Sequence, residues 1–220
     1  MKTALTSILL LLVTAAYGQS TWGFNAYAFL PTGELKNDSP EVWGGGFAFE
    51  VAATIKQSPI YLGGQLDITR YGSEVRDGYH GPDLGEIRLR RNYEMARMLG
   101  LVRFKPDCGI NFYPYFDFLI GPSYIYTRAT LRDDSFSEPF DHYFDLDDFT
   151  VSYGFGAGVE IFLHEYLILD LHLKSMTTGR VEYLTPSAVH YNNSEDYYEL
   201  DIQNSSFDNL NLGVGIKLVF

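Results

Sequence analysis

The final twelve residues, Asn209-Leu-Asn-Leu-Gly-Val-Gly-Ile-Lys-Leu-Val-Phe220, read as one strand with two unlike faces. Leu210, Leu212, Val214, Ile216, Leu218 and Phe220 share one side. Asn209, Asn211, Gly213, Gly215 and Lys217 share the other, until Val219 interrupts them. Successive side chains of a strand point to opposite faces, so this segment separates an apolar environment from a polar, narrow one. The same period recurs upstream. Phe47, Phe49 and Val51 alternate with Gly46, Ala48 and Glu50; Tyr153, Phe155, Ala157, Val159 and Ile161 alternate with Ser152, Gly154, Gly156, Gly158 and Glu160.

Eight such segments occur, near residues 22–30, 42–54, 60–71, 93–104, 111–126, 149–162, 166–176 and 208–220. Their connections alternate in length. The second, fourth and sixth are short: Ile55-Lys-Gln-Ser-Pro59, Lys105-Pro-Asp-Cys-Gly-Ile110 and Leu163-His-Glu165. The first, third, fifth and seventh are long, at 31–41, 72–92, 127–148 and 177–207. Long connections that all emerge at one end predict an all-β chain: an up-and-down antiparallel β-barrel of eight strands. The last long connection holds strand-like stretches of its own, Gly179-Arg-Val-Glu-Tyr-Leu184 and Tyr197-Tyr-Glu-Leu-Asp-Ile-Gln203, which read as a hairpin; if they reach the bilayer, the barrel has ten strands.

Bulk composition agrees. Of 220 residues 46% are hydrophobic and 16% aromatic, which excludes wholesale disorder, and 21 glycines suit strands and turns better than helices. A net charge of −12 argues against nucleic acid, and the nearest basic run, Arg88, Arg90 and Arg91, is interleaved with Glu86 and Glu94. Residues 1–18 read as a cleaved signal peptide, with Lys2 at the start, an apolar run from Ala4 to Ala16 and a small-x-small site at Ala16-Tyr17-Gly18. That leaves 19–220 as the barrel domain. No Cys follows the cut, so no lipid anchor is expected, and the single Cys108 offers no internal disulfide.

Alternation alone does not say which face looks outward, because a soluble barrel hides its apolar side. The small residues decide. Gly44, Gly46, Ala48, Gly154, Gly156, Gly158, Gly213 and Gly215 lie on the polar face, and the interior of eight strands is narrow. Rows of Phe, Leu and Val must then face outward, and an exterior that apolar belongs in lipid. The last strand closes against the first, leaving no open edge in the membrane. Aromatic girdles are expected at Tyr61, Phe104, Phe112, Phe162, Tyr166 and Phe220 at the short-turn end, and at Trp43, Tyr71, Tyr126, Phe149 and Tyr153 toward the long connections.

The signal peptide, Tyr153-Gly-Phe-Gly-Ala-Gly-Val-Glu-Ile-Phe162, Tyr113-Pro-Tyr-Phe-Asp-Phe-Leu-Ile-Gly-Pro-Ser-Tyr124 and the closing Leu212-Gly-Val-Gly-Ile-Lys-Leu-Val-Phe220 resemble the eight-stranded outer-membrane barrel family of Gram-negative bacteria, the porin-family or OmpA/OmpX-like barrels. The resemblance spans the mature chain, without the peptidoglycan-binding domain of full-length OmpA-type proteins. It implies a place in the cell outer membrane with short periplasmic turns and long extracellular loops, contact with outer-membrane lipid and lipopolysaccharide, and delivery to the barrel-assembly machinery through the strand ending in Phe220. It says little about activity.

Parity points Glu50, Asp67, Asp117, Glu160 and Asp170 inward with Lys174 and Lys217, and lipid would penalise Arg97 and Arg103 unless they too face the lumen. Five acids against four bases predict an ion-pair network that plugs the barrel; a narrow solute-conducting barrel is the alternative. A third reading is an enzyme at the rim, where Asp141 and His142 are the first pair to test, although no Gly-x-Ser-x-Gly or His-Glu-x-x-His occurs. No catalytic residues are assigned. The acidic, aromatic loop surface of Asp133, Asp134, Phe140, Asp141, Tyr143, Phe144, Asp145, Asp147 and Asp148 suits an extracellular or envelope protein partner, with the chain as a structural or binding component, a small subunit of an envelope complex. This stretch lacks the spacing and glycine of an EF-hand, so no metal site or cofactor is expected beyond loosely held loop calcium.

Overall fold

The computed structural model describes residues 20–40, 42–55, 58–81, 85–108, 112–132, 141–186, 188–192 and 197–220; residues 1–18, expected to be a signal peptide, lie outside them. Eight strands form the wall: β1 (Ser20–Pro31), β2 (Gly44–Thr54), β3 (Ile60–Gly81), β4 (Gly85–Phe104), β5 (Phe112–Arg132), β6 (Asp141–His164), β7 (Leu167–Thr178) and β12 (Asn209–Val219). They close in the order β1-β12-β7-β6-β5-β4-β3-β2. Between β7 and β12 lie four short strands, β8 (Arg180–Tyr183), β9 (Val189–Asn192), β10 (Tyr197–Leu200) and β11 (Gln203–Ser206), and one short helix, α1 (Gly33–Asp38), follows β1.

The register closes the wall between β12 and β1. β12 pairs antiparallel with β1 from Val219 opposite Thr21 to Asn209 opposite Pro31. Backbone bonds Ser20 N–H to Phe220 O (3.1 Å) and Phe220 N–H to Ser20 O (2.9 Å) finish the seam. No wall strand is left with an open edge at bilayer height, where an unpaired N–H or C=O has no water to bond. Within the belt the apolar side of the wall strands faces out, including Trp22, Phe47, Leu66, Met98, Phe116 and Ile216. This inverts the layout of a soluble barrel.

The inward glycines make room for large neighbours rather than merely narrowing the bore. A Cβ on Gly158 would run into the Tyr115 ring, one on Gly213 into the His172 ring, and one on Gly46 into Tyr27. Each of these three rings thus lies over a glycine on an adjacent strand.

The wall has the eight strands expected, and the ten-strand alternative falls: β8 pairs with β11 and β9 with β10, in two-stranded sheets apart from the wall. Three other expectations need correction. Arg180-Val-Glu-Tyr183 faces Gln203–Ser206, not the Tyr197–Leu200 segment expected for it. Much of 72–92 and 127–148 is strand rather than loop, because polar alternation continues the pairing above the apolar belt. β3 to β6 run to 22, 20, 21 and 24 residues, whereas β1, β2, β7 and β12 have 12, 11, 12 and 11. A tilted strand crosses a bilayer in ~9–11 residues, so one half of the wall projects well beyond it. Finally, Tyr61 and Tyr71 are buried inside and do not belong to the girdles, while Phe104, Phe112, Tyr166, Phe220, Trp43, Phe149 and Tyr153 are exposed outside.

Candidate functional site in the lumen and mouth

At the short-turn end Arg103 is the hub. Its guanidinium holds Asp117 through two bonds (Nε to Oδ1 2.7 Å, Nη2 to Oδ2 2.8 Å) and also reaches Glu50 (2.7 Å) and Glu160 (3.1 Å). The fork geometry of arginine makes this multiple pairing possible where a lysine could not reproduce it. Lys217 Nζ bridges Glu160 (2.9 Å), Glu50 (3.2 Å) and Asp170 (3.4 Å). Lys174 Nζ donates to Gln65 Oε1 at 2.6 Å and stands 3.6 Å from Glu50. Tyr115 lies beneath the Arg103 guanidinium, 4.0 Å from it, and donates to Asp170 Oδ1 at 2.7 Å.

A residue outside the sequence-derived set joins them. Lys105 bonds Glu160 Oε2 at 2.8 Å and sits over the Tyr61 ring at 4.5 Å. The sequence places it in a turn, yet it continues the parity of Leu101 and Arg103, which is the signal that identifies it. With Lys105 this network holds five acids and five bases. Midway up, Arg97 Nε donates to both Asp67 oxygens (3.0 and 3.1 Å) and its Nη1 to Asn209 Oδ1 (3.2 Å), while the His172 ring nitrogen Nδ1 lies 3.0 Å from Asp170 Oδ2. All nine lumen residues named from the sequence are buried and lie within this connected set.

Above this layer the filling changes character. Phe29, Leu35, Tyr71, Tyr93, Met95, Ile125, Val181, Tyr183, Leu184 and Phe207 form one apolar cluster. Its members come from the inner wall, from α1 and from the folded connection 179–208, so that connection lies over the mouth as a cap rather than standing clear. Phe207 is the keystone, with ring centroids 4.8 Å from Tyr71, 5.0 Å from Tyr183 and 5.8 Å from Phe29. The cap is latched by Phe207 N–H to Thr178 Oγ1 (2.7 Å), Tyr71 O–H to the Leu184 carbonyl (3.3 Å) and Ser206 N–H to Glu34 Oε2 (2.9 Å). The Ser206 N–H, helped by the Arg180 charge, holds the Glu34 carboxyl below its ordinary range, and burial pushes the Tyr183 phenol up. No sequence pattern isolated this cap, although the alternation of Val181 and Tyr183 with Arg180 and Glu182 was visible.

The loop-surface residues are dispersed. Asp133, Asp134 and Phe140 lie outside the described residues. Asp145 faces inward and bonds Arg91 Nε at 2.7 Å, Asp147 accepts from Tyr124 O–H at 3.0 Å, and Asp148 accepts the Glu182 N–H at 2.9 Å. Tyr143 and Phe144 are exposed. Asp141 and His142 meet through the His142 backbone N–H and Asp141 Oδ1 (2.8 Å), a contact that does not engage the imidazole. Among the described residues no group of three or more acidic, His or Cys side chains could hold a metal ion.

The closed ring, apolar outside and ionic inside, defines an eight-stranded transmembrane β-barrel of the outer-membrane kind. No protein-family model matches the chain, and no characterised protein matches it by sequence. Similar solved structures exist. Neisserial surface protein A aligns over 92% of this chain and 97% of its own at 14% identity and TM-score 0.49. A major outer membrane protein from Thermus thermophilus aligns over 91% and 99% at 14% identity and TM-score 0.47. The outer membrane protease OmpT from Escherichia coli aligns over 92% and 95% at 10% identity and TM-score 0.40. At these scores the likeness is one of architecture, and the strand pairing described above is what establishes the fold.

Proposed function

We propose that this protein is a non-conducting, non-enzymatic outer-membrane barrel whose wall serves as an anchor and whose projecting β3–β6 sheet is a binding platform, a small subunit of a larger envelope assembly. It reaches the membrane through its cleaved signal segment and the assembly machinery that reads the β12 strand ending in Phe220. The observation that carries this reading is the continuous filling of the lumen. Charged side chains occupy the short-turn end from Lys105 to Lys174, and the aromatic cap covers the other end. Eight strands leave space for side chains rather than for an aqueous channel. Half of the wall meanwhile extends past bilayer height, where it presents Tyr143 and Phe144 to a partner.

Bilayer recording of the refolded protein tests the first half. We expect no stable openings in the intact chain, and none when residues 180–207 are replaced by a short turn, because the Arg103 network still blocks the lower lumen. Ohmic channels in the intact chain would favour the solute-conducting alternative. Cutting β5 and β6 back to bilayer height tests the second half: the shortened barrel should still shift on an unboiled detergent gel while losing proteins that co-purify with the full chain.

A further inference from the structure

The acids and the bases of the projecting sheet are used on different sides of it. By sequence the upper part of β6 reads as an acidic surface, yet its described acids are already engaged. Asp145 turns inward to Arg91, Asp147 takes the Tyr124 hydroxyl, Asp148 the Glu182 N–H and Asp141 the His142 N–H. The arginines of β4 and β5 go the other way. Leu89 and Arg91 are buried inward on β4, so Arg88 and Arg90 face out; Ala129 and Leu131 are buried inward on β5, so Arg128 and Arg132 face out.

Strand register lays this outer face out in rows. One row runs Val75, Arg90, Thr130, His142, and the row below it Ser73, Asn92, Arg128, Phe144. Neither row contains an acid. Arg88 stands opposite Arg132 above them. The outward acids Glu94 and Asp147 fall one row lower, with Arg70 and Tyr126. Glu94 is occupied there, holding Arg70 at 2.5 Å and Arg128 at 3.2 Å. Arg90 Nε has only a neutral partner, Asn92 Oδ1 at 3.3 Å, and the buried Arg132 Nε has none.

Height removes lipid as the ligand. Ile68, an exposed belt residue, stands opposite Ala96. From Ala96 to Arg90 is ~20 Å along β4, or ~15 Å of rise at a tilt of ~40°. A headgroup layer is only ~5–8 Å thick. Composition then separates proteins from other polyanions. Val75 and Phe144, 43% and 53% exposed, stand at the two edges of these rows with arginine between them. Arginine beside aromatic and aliphatic contact area is the make-up of a protein interface. A polysaccharide or nucleic acid is held instead by an unbroken run of cations.

We infer that the outer face of β3–β6 above the membrane docks an acidic protein surface with apolar side chains between its carboxylates. Arg90, Arg128 and Arg132 take the carboxylates, and Val75 and Phe144 take the apolar groups. The inference rests on the binding-platform reading and supplies the partner's chemistry. An arginine fork takes a carboxylate through both oxygens, so the fit is to Asp or Glu. The charge this platform turns to a partner is positive, in a chain whose net charge is −12.

The test uses the full-length barrel in phosphatidylcholine nanodiscs, with empty discs as the blank. Two fluorescent peptides are titrated by anisotropy, one alternating Glu with Leu and one alternating Lys with Leu. The Glu–Leu peptide should bind about tenfold tighter than Lys–Leu, and tighter than a Glu–Ser peptide that lacks the apolar contact. Arg90→Gln with Arg132→Gln, which leaves both Glu94 pairs in place, should weaken it about tenfold. Lys36→Gln with Arg180→Gln removes equal charge from exposed side chains and should change nothing. Equal binding of the Glu–Leu and Lys–Leu peptides, or an equal loss in the two double variants, overturns the inference. So does a sulfated polysaccharide or duplex DNA that displaces the Glu–Leu peptide at a lower charge concentration than unlabelled peptide does. If the barrel with shortened β5 and β6 keeps every protein that co-purifies with the full chain, the platform reading fails. If it loses a protein that the Arg90, Arg132 variant keeps, the inference alone fails.

Discussion

The two ends of the lumen are filled by opposite means. Around Arg103 the filling is ionic, with ten charged side chains from β2 to β7 and β12 satisfying one another inside a ring of backbone. Around Phe207 it is apolar, built from segments far apart in the chain. The difference follows from what each end can recruit. Short turns give the lower end no spare chain, so the wall must plug itself with side chains long enough to meet across the bore, and only Arg, Lys, Glu and Tyr reach that far while still finding partners. The upper end has a long connection, which folds back to bury Val181, Tyr183, Leu184 and Phe207 as a small conventional core.

Removing the ionic hub is the harshest way to break this contrast. Arg103→Leu takes both guanidinium bonds from Asp117 and leaves Glu50 and Glu160 to the lysines around them, and a buried pair that loses one partner costs ~3–5 kcal/mol. Urea unfolding in detergent, followed by the heat-modifiable gel shift, should show a large drop in midpoint. Lys174→Ala should lower it less, because Glu50 keeps Arg103 and Lys217. If the two variants are alike, Arg103 is not the hub.

Phe207→Ala addresses the other end. Truncating a buried Phe costs ~3–5 kcal/mol, but here the loss should fall on the cap and not on the wall. Limited proteolysis should cut within 180–208 far faster than in the parent, at an unfolding midpoint changed by less than in Arg103→Leu. An equal fall in midpoint would mean that cap and wall unfold together.

The smallest expected effect is a pH dependence of the latch. Glu34 has its carboxyl pKa depressed in the folded chain by the Ser206 N–H and Arg180. A depressed acid contributes its stabilisation above its unfolded pKa and loses it as pH falls through the folded value. Cap proteolysis with an acid-active protease should therefore be flat at pH 5 and above and should rise below about pH 4. Glu34→Gln should remove the rise. A cap equally open at pH 5 and pH 3 would show that Phe207 packing alone holds it.

Much of the wall was legible because the bilayer leaves a strand two choices per residue. Parity sent Glu50, Asp67, Arg97, Arg103, Asp117, Glu160, Asp170, Lys174 and Lys217 inward. It applies equally to Lys105, one residue past the end of β4, where turn-like composition hides it. Tyr61 and Tyr71 follow parity inward, although their aromatic type suits a girdle. The cap was not legible. It is assembled from segments far apart in the chain, with β8 paired to β11 and Val181 and Tyr183 packed with Phe207 against the inner wall.

Sequence alone determined that this chain is a closed ring of eight antiparallel strands, greasy outside and charged within. Period two, alternating connection lengths and glycines on the polar face are local signals, and lipid punishes any departure from them. Tertiary structure decided how far β3 to β6 rise above the membrane, and that β8, β11 and Phe207 fold over the mouth. Those outcomes depend on which strand lies beside which and at what stagger, and above the lipid belt water is a tolerable alternative for every polar group. With no solvent penalty to enforce it there, pairing is settled by contacts between residues distant in the chain.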